Sequence, residues 1–203
     1  MSHHIYTTPG FVIDSKPNGE AGRLLFIFTR DLGLVAAQAQ GVRLGVSKLR
    51  YHTQDFSFSL FSLVRGREIW RLTGATLIAD EPTRVDSPPS YFIYVRVLAV
   101  LRRLLHGEEK NEALFDALLA FVRFLVAMPL IDEETSLAEC IIVLRILHLL
   151  GYVSVAGEAG APSVLLPFIQ DPTQWNEALL EQMKTTKTAA VTAINLGLKA
   201  SQL

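Results

Sequence analysis

Arg43, Lys48 and Arg50 fall within eight positions of one another, inside a stretch from Leu32 to Gln54 that contains no Asp or Glu. Cations at that density, with no acid to pair with, suit phosphodiester contact. Each neutralised phosphate releases a condensed counterion, and that attraction is indifferent to base sequence. Tyr51 and His52 follow directly, and an exposed ring beside such a segment is a platform for a base. Gly41 and Gly45 interrupt the run, so it reads as a loop rather than an amphipathic helix. A second group, Arg65, Arg67 and Arg71, surrounds a predicted hairpin with Trp70 beside it, and Arg23 and Lys16 lie upstream. These are the candidate nucleic-acid contacts.

Other chemistry finds little to work with. "GVRLGVSK" (41–48) imitates a phosphate loop but lacks the Gly-Lys-Ser/Thr ending that cradles phosphates. His52, His106 and His148 are scattered, and His148 in an apolar helical run reads as a packed or hydrogen-bonded residue. Asp132-Glu133-Glu134 precedes a predicted helix, where acids meet the positive end of the backbone dipole. Cys140 stands alone, which excludes a disulfide framework and a multi-cysteine zinc site. His3 and His4 read as a solvated terminus. No catalytic residue, metal or cofactor is expected.

Half of the 203 residues are hydrophobic, enough for a buried core in one large or two small domains. The most apolar run, "YFIYVRVLAVLRRLL", is cut by Arg96, Arg102 and Arg103, which argues against a membrane span. The N-terminus shows no secretory signal, so a cytoplasmic address is expected. The formal charge of −1 hides an asymmetry: residues 1–79 carry nine Lys/Arg against five Asp/Glu, and residues 80–203 ten against fifteen. A basic half and an acidic half suggest two domains with different partners.

The basic half reads as β structure. "FVIDSK", "RLLFIFTR", "GLVAAQAQG", "FSFSLFSLVRG" and "EIWRLTGATLI" are five runs separated by turn signals. "DFSFSLFSLV" alternates, with Phe56, Phe58 and Leu60 on one side and Ser57, Ser59 and Phe61 on the other. Five short strands with a long connection after the third match a small curved barrel of oligonucleotide-binding (OB) type. A proline-rich linker covers 81–90. Beyond it the period is helical: from Ser90 to about Leu105, from Asn111 to Met128, and from Thr135 or Ser136 to Gly151. "GYVSVAGEAGAPSVLLPF" reads as a loop or short hairpin, followed by a more polar helix or helix pair. The expected fold is α+β: a barrel over 1–80 and an all-helical domain over 91–203.

Ordered elements in the first half resemble the N-terminal domain of the RecO family of DNA repair proteins. They are Gly19-Glu20 through Leu25, Phe28-Thr29 with Gly33-Leu34, Gly41-Val42-Arg43, and Ser47-Lys48-Leu49-Arg50. More loosely, "NEALFDALLAFVRFL" and Ile146 to Tyr152 are similar to the family's helical domain. The resemblance implies a non-enzymatic recombination mediator. Such a protein binds single- and double-stranded DNA, anneals complementary strands, and works with RecR and the single-strand-binding protein SSB to load the recombinase. Many members carry a four-cysteine zinc module after the Leu-Gly-Tyr element. Here that place is taken by "VSVAGEAGAPSVLLPF", so zinc is not carried over.

The same resemblance supplies an occupant for the helical half, the acidic and apolar-ended tail of SSB. Arg102, Arg103, Arg123 and Arg145 interrupt apolar helical runs and are the candidate cations for it. The alternative is a protein–protein adaptor of the same fold that binds nucleic acid weakly. A steep salt dependence of single-strand binding separates the two.

Overall fold

The first strand is far longer than its apolar core. In the computed structural model, which describes residues 4–82, 85–128, 130–154 and 164–202, β1 runs Ile5–Asn18. It is followed by β2 (Gly22–Thr29), β3 (Gly33–Ala39), β4 (Phe58–Arg65) and β5 (Trp70–Thr76). These close into a barrel in the order β1-β2-β3-β5-β4. Closure requires β1 to serve two neighbours. Ile5 to Phe11 pair antiparallel with β4, and Gly10 to Asn18 pair with β2, with a bulge between Val12 and Asp14. The expected first strand began at Phe11, six residues later than the observed one. Pro9 carries no amide proton but its carbonyl accepts from Arg30 N–H at 3.1 Å. A Cβ on Gly10 would lie 2.7 Å from Ile27 Cγ2, so glycine permits the close crossing.

The barrel interior is Val12, Leu25, Ile27, Val35, Ala37, Ala39, Val42, Phe61, Leu63, Trp70 and Leu72. The β4 alternation is real, but its inward face is the one carrying Phe61 and Leu63. Phe58 is buried on the other side, stacked on Phe11 at 4.4 Å between centroids. Phe56 precedes the strand, in a left-handed conformation at φ 68°. The β3–β5 ladder, the parallel seam of the ring, is short: Ala37↔Trp70 and Gln38↔Arg71.

By internal contacts the chain forms two units, Met1–Arg84 with Leu98–Glu112, and Val85–Val97 with Ala113–Leu203. The helix α1 (Pro88–Leu104) contributes to both. Residues 83 and 84 of the expected linker lie outside the described residues. In the first unit, Leu98–Glu112 is strapped to the barrel. Leu34 N–H donates to Gly107 O at 3.2 Å, Arg102 Nε to Asp14 Oδ2 at 3.2 Å, and Arg30 pairs with Glu112 at 3.5 Å. The Arg102 guanidinium also lies over the Phe26 ring at 4.0 Å.

The second unit contains α2 (Glu112–Ala127) from Ala113 onward, α3 (Asp132–Leu149), the single turn α4 (Leu166–Ile169) and α5 (Glu177–Ala200). Apolar side chains at helical spacing, among them Phe115, Leu118, Phe121, Ile141, Leu144 and Leu147, are fully buried. α3 starts earlier than its apolar pattern, so the acidic triplet is its first turn and Glu134 Oε2 accepts from Ile131 N–H at 3.0 Å. The last stretch is one helix, capped by Asn176 Oδ1 on Leu179 N–H at 2.9 Å. Of the expected loop or hairpin, residues 155–163 lie outside the described residues. His148 Nδ1 donates to Val153 O at 3.0 Å. Among the described residues, no helix is long and apolar enough to cross a membrane, and no group of three or more His, Cys, Asp or Glu is placed to hold a metal.

Arg145 has a place quite unlike the one expected. It is completely buried, with Nε donating to Phe168 O at 2.6 Å and Nη2 to Gln174 O at 2.7 Å, and its guanidinium 4.5 Å from the Trp175 ring centre. Burial pushes its pKa down to about 10, with Asp171 opposing the shift. The side chain ties α4 and the segment after it to α3, and cannot serve as a surface cation for a partner.

Two substitutions test these constraints. Gly33 sits at φ +70°, and a Cβ there would lie 2.3 Å from the Glu109 carbonyl oxygen. Gly33→Ala should therefore destabilise the first unit by about 2 kcal/mol or more in urea unfolding. Arg145→Met keeps the stem but takes the donors from the buried Phe168 carbonyl and the part-buried Gln174 carbonyl. It should lower the stability of the second unit by about 2–3 kcal/mol. A loss below about 0.5 kcal/mol, the range of an ordinary surface substitution, would show either contact to be incidental.

Candidate nucleic-acid interface

The basic loop is built on fixed stems. From Gly41 the chain leaves β3 and descends through successive tight turns: Leu44 N–H to Gly41 O, Ser47 N–H to Leu44 O, Arg50 N–H to Ser47 O and Thr53 N–H to Leu49 O, all 3.1–3.2 Å. Val42 is buried in the barrel core and Leu49 packs against it. Thr53 is buried and its Oγ1 donates to Leu49 O at 2.9 Å. Arg43 N–H donates to Ala21 O at 3.0 Å, which draws the loop onto the β1–β2 turn. Val42 and Leu49 thus turn inward and Arg43, Lys48 and Arg50 outward, all three exposed.

Between loop and barrel lies a cleft of about 420 Å³ lined by Arg23, Val42, Arg43, Arg50, Thr53, Gln54 and Asp55. Three arginines from two separate segments therefore face one concavity. Arg23 is steadied by Nη1 donating to Thr53 O at 3.2 Å and by Asp55 at 3.7 Å. Asp55 is the single carboxylate of the lining and also accepts from Ser15 Oγ. Lys48 lies on the same loop but is not part of the lining. Tyr51, 78% exposed, offers an uncovered ring next to Arg50. His52 is engaged with Ser59 Oγ at 3.0 Å.

The second basic group is differently employed. Trp70 is buried in the barrel core, and its Nε1 donates to Glu108 Oε1 at 3.0 Å. The stacking role expected of it is closed off, because its ring packs edge-on against Tyr6 on one side and under the Arg65 guanidinium at 4.9 Å. The other oxygen of Glu108 takes the ion pair with Arg65. Arg67 and Arg71 are exposed, in the β4–β5 turn and on β5 opposite Gln38. Lys16 is exposed on β1 with its ammonium 5.7 Å from the Phe26 ring centre.

The four arginines considered for a partner are not equivalent. Arg145 is internal and Arg102 is held by Asp14 and Phe26. Arg103 on α1 and Arg123 on α2 are exposed. What the sequence did not single out is the cleft itself. Thr53 and Asp55 belong to it through the turns of the loop and carry no pattern of their own.

Comparison with known proteins bears on the same residues. Residues 1–80, which include the barrel and its basic loop, match the family described as Recombination protein O N terminal. A DNA repair protein RecO of Heliobacterium modesticaldum is 30% identical over 161 residues, which is 78% of this chain and 57% of that protein. One from Pelotomaculum thermopropionicum is 28% identical over 151 residues, 74% of this chain and 57% of the relative. A third, from Dehalococcoides mccartyi, is 39% identical over 75 residues, 37% of this chain and 30% of its own length. The matched stretch thus spans little more than half of the longest-matching relatives.

Proposed function

We propose that this chain, which belongs to the RecO family, binds single-stranded DNA in the cleft of Arg23, Arg43 and Arg50 and acts as a recombination mediator in DNA repair. One observation carries the reading. Three arginines converge on a concave surface holding a single carboxylate, with Lys48 and the open ring of Tyr51 on the same loop. A groove that tracks phosphates and a ring that takes a base are what sequence-tolerant single-strand binding requires. Arg67, Arg71 and Lys16 extend the basic surface of the barrel, while Arg65 must first give up Glu108.

On this reading the protein breaks and makes no covalent bond. It anneals complementary strands, contacts duplex DNA through the same phosphate-directed cations, and helps place recombinase on SSB-coated DNA at the nucleoid in the cytoplasm. Its protein partners on this reading are RecR and the acidic tail of SSB. Of the four arginines considered for that tail, Arg145 is internal and Arg102 is held by Asp14, whereas Arg103 and Arg123 are exposed.

The salt dependence of binding tests the cleft. Replacing Arg43, Lys48 and Arg50 together with Gln should flatten the log–log salt slope for a labelled oligonucleotide by about 2 to 3, since each phosphate contact contributes a little under one. Arg65→Gln should change it by less than about one unit, because that cation is already neutralised within the protein. An unchanged slope in the folded triple variant would reduce the loop to a solvated surface.

A further inference from the structure

Two aliphatic side chains of the basic loop find no place in the fold. Val46 is 91% exposed and Leu44 53%, although Val42 before them and Leu49 after them are fixed to the barrel core. Leu44-Gly45-Val46 is therefore the tip of a loop with two anchored stems, stiffened by the bonds of Leu44 N–H to Gly41 O and Ser47 N–H to Leu44 O. Gly45, at its apex, has open space within 4 Å of where a Cβ would stand. An apolar tip thus projects from between Arg43 and Lys48, with Arg50 and Tyr51 close behind in the chain.

A ligand for this tip must offer apolar surface and negative charge a few ångströms apart. A nucleic-acid strand does so, with phosphates for the cations and base faces between which an aliphatic side chain can wedge. An anionic lipid surface combines the same properties, but it is broad and flat. The loop here shares Arg43 and Arg50 with a concave cleft that also includes Arg23, and a concavity admits a polymer backbone rather than a sheet of headgroups. We infer that Leu44 and Val46 insert between neighbouring bases of the bound strand and unstack them. The inference rests on the single-strand reading above and deepens it: the arginines hold the backbone, the tip parts the bases, and Tyr51 offers its ring to one of them.

The test uses the full chain and an adenine-rich oligonucleotide with a central 2-aminopurine, whose fluorescence is quenched while it is stacked. Binding of the wild-type protein should raise the emission. Leu44→Ser with Val46→Ser leaves every cation in place and alters only exposed side chains, so the salt slope should stay as in the wild type. The emission rise should be largely lost and affinity should fall about tenfold, in line with the loss of one base-stacking contact. Wild-type binding without an emission rise overturns the inference, as does a double variant that matches the wild type in emission and affinity. Cosedimentation with phosphatidylserine-containing vesicles that the double variant alone loses, with DNA binding intact, would assign the tip to lipid. If the wild type binds no oligonucleotide even at low salt, the single-strand reading itself fails, and the wedge with it.

Discussion

Everything in the first unit depends on β1 being shared. A five-stranded sheet this small can close only if one strand is long enough to pair with β2 along one half and with β4 along the other. The bulge at Val12/Asp14 turns the strand between its two partners, and Gly10 lets it pass close to Ile27. Once the ring is closed, the connection from β3 to β4 is tied to the core by Val42, buried within it, and by Leu49, packed against it. The cations of that connection are left with no direction but outward. The basic cleft is thus a by-product of barrel closure as much as of composition.

Glu108 shows how the first unit handles its remaining polar groups. The indole N–H of a buried tryptophan needs an acceptor, and the residue that supplies it comes from the strap after α1. Its second oxygen neutralises Arg65, whose guanidinium covers the same indole. A core requirement thereby removes one cation from the unpaired basic surface of the barrel. In the second unit, Arg145 solves a similar problem in reverse, a cation satisfying backbone carbonyls in a segment too short to satisfy them by helix formation.

Strand existence was legible because the alternation of apolar residues follows directly from the pleat. Boundaries were less so. Ile5 to Gly10 belong to β1 by pairing with β4, a partner remote in sequence. The start of α3 was hidden by three acids that carry no apolar signal but suit a first turn. Arg43 and Arg50 could be picked out from an acid-free run, whereas Arg23 joins them only through the fold. Trp70 and Arg145 were assigned to surfaces because residue type says what a side chain can bind and not whether water reaches it. Their burial is decided by neighbours as distant as Glu108 for one and Phe168 for the other.

The long shared strand also sets the order of difficulty in making the barrel. β1, β2 and β3 are joined by the short turns Gly19–Ala21 and Arg30–Leu32, so their registers can be tried at little loss of chain freedom. The β1–β4 seam joins Ile5 to Val64, with the entire meander and the basic loop in between. The equilibrium penalty for so long a loop grows only logarithmically, about 0.6 kcal/mol per doubling. The kinetic penalty of such non-local contact is much steeper. Ring closure is accordingly the slow, entropy-limited event in this half of the molecule, and the basic cleft does not exist until it has happened.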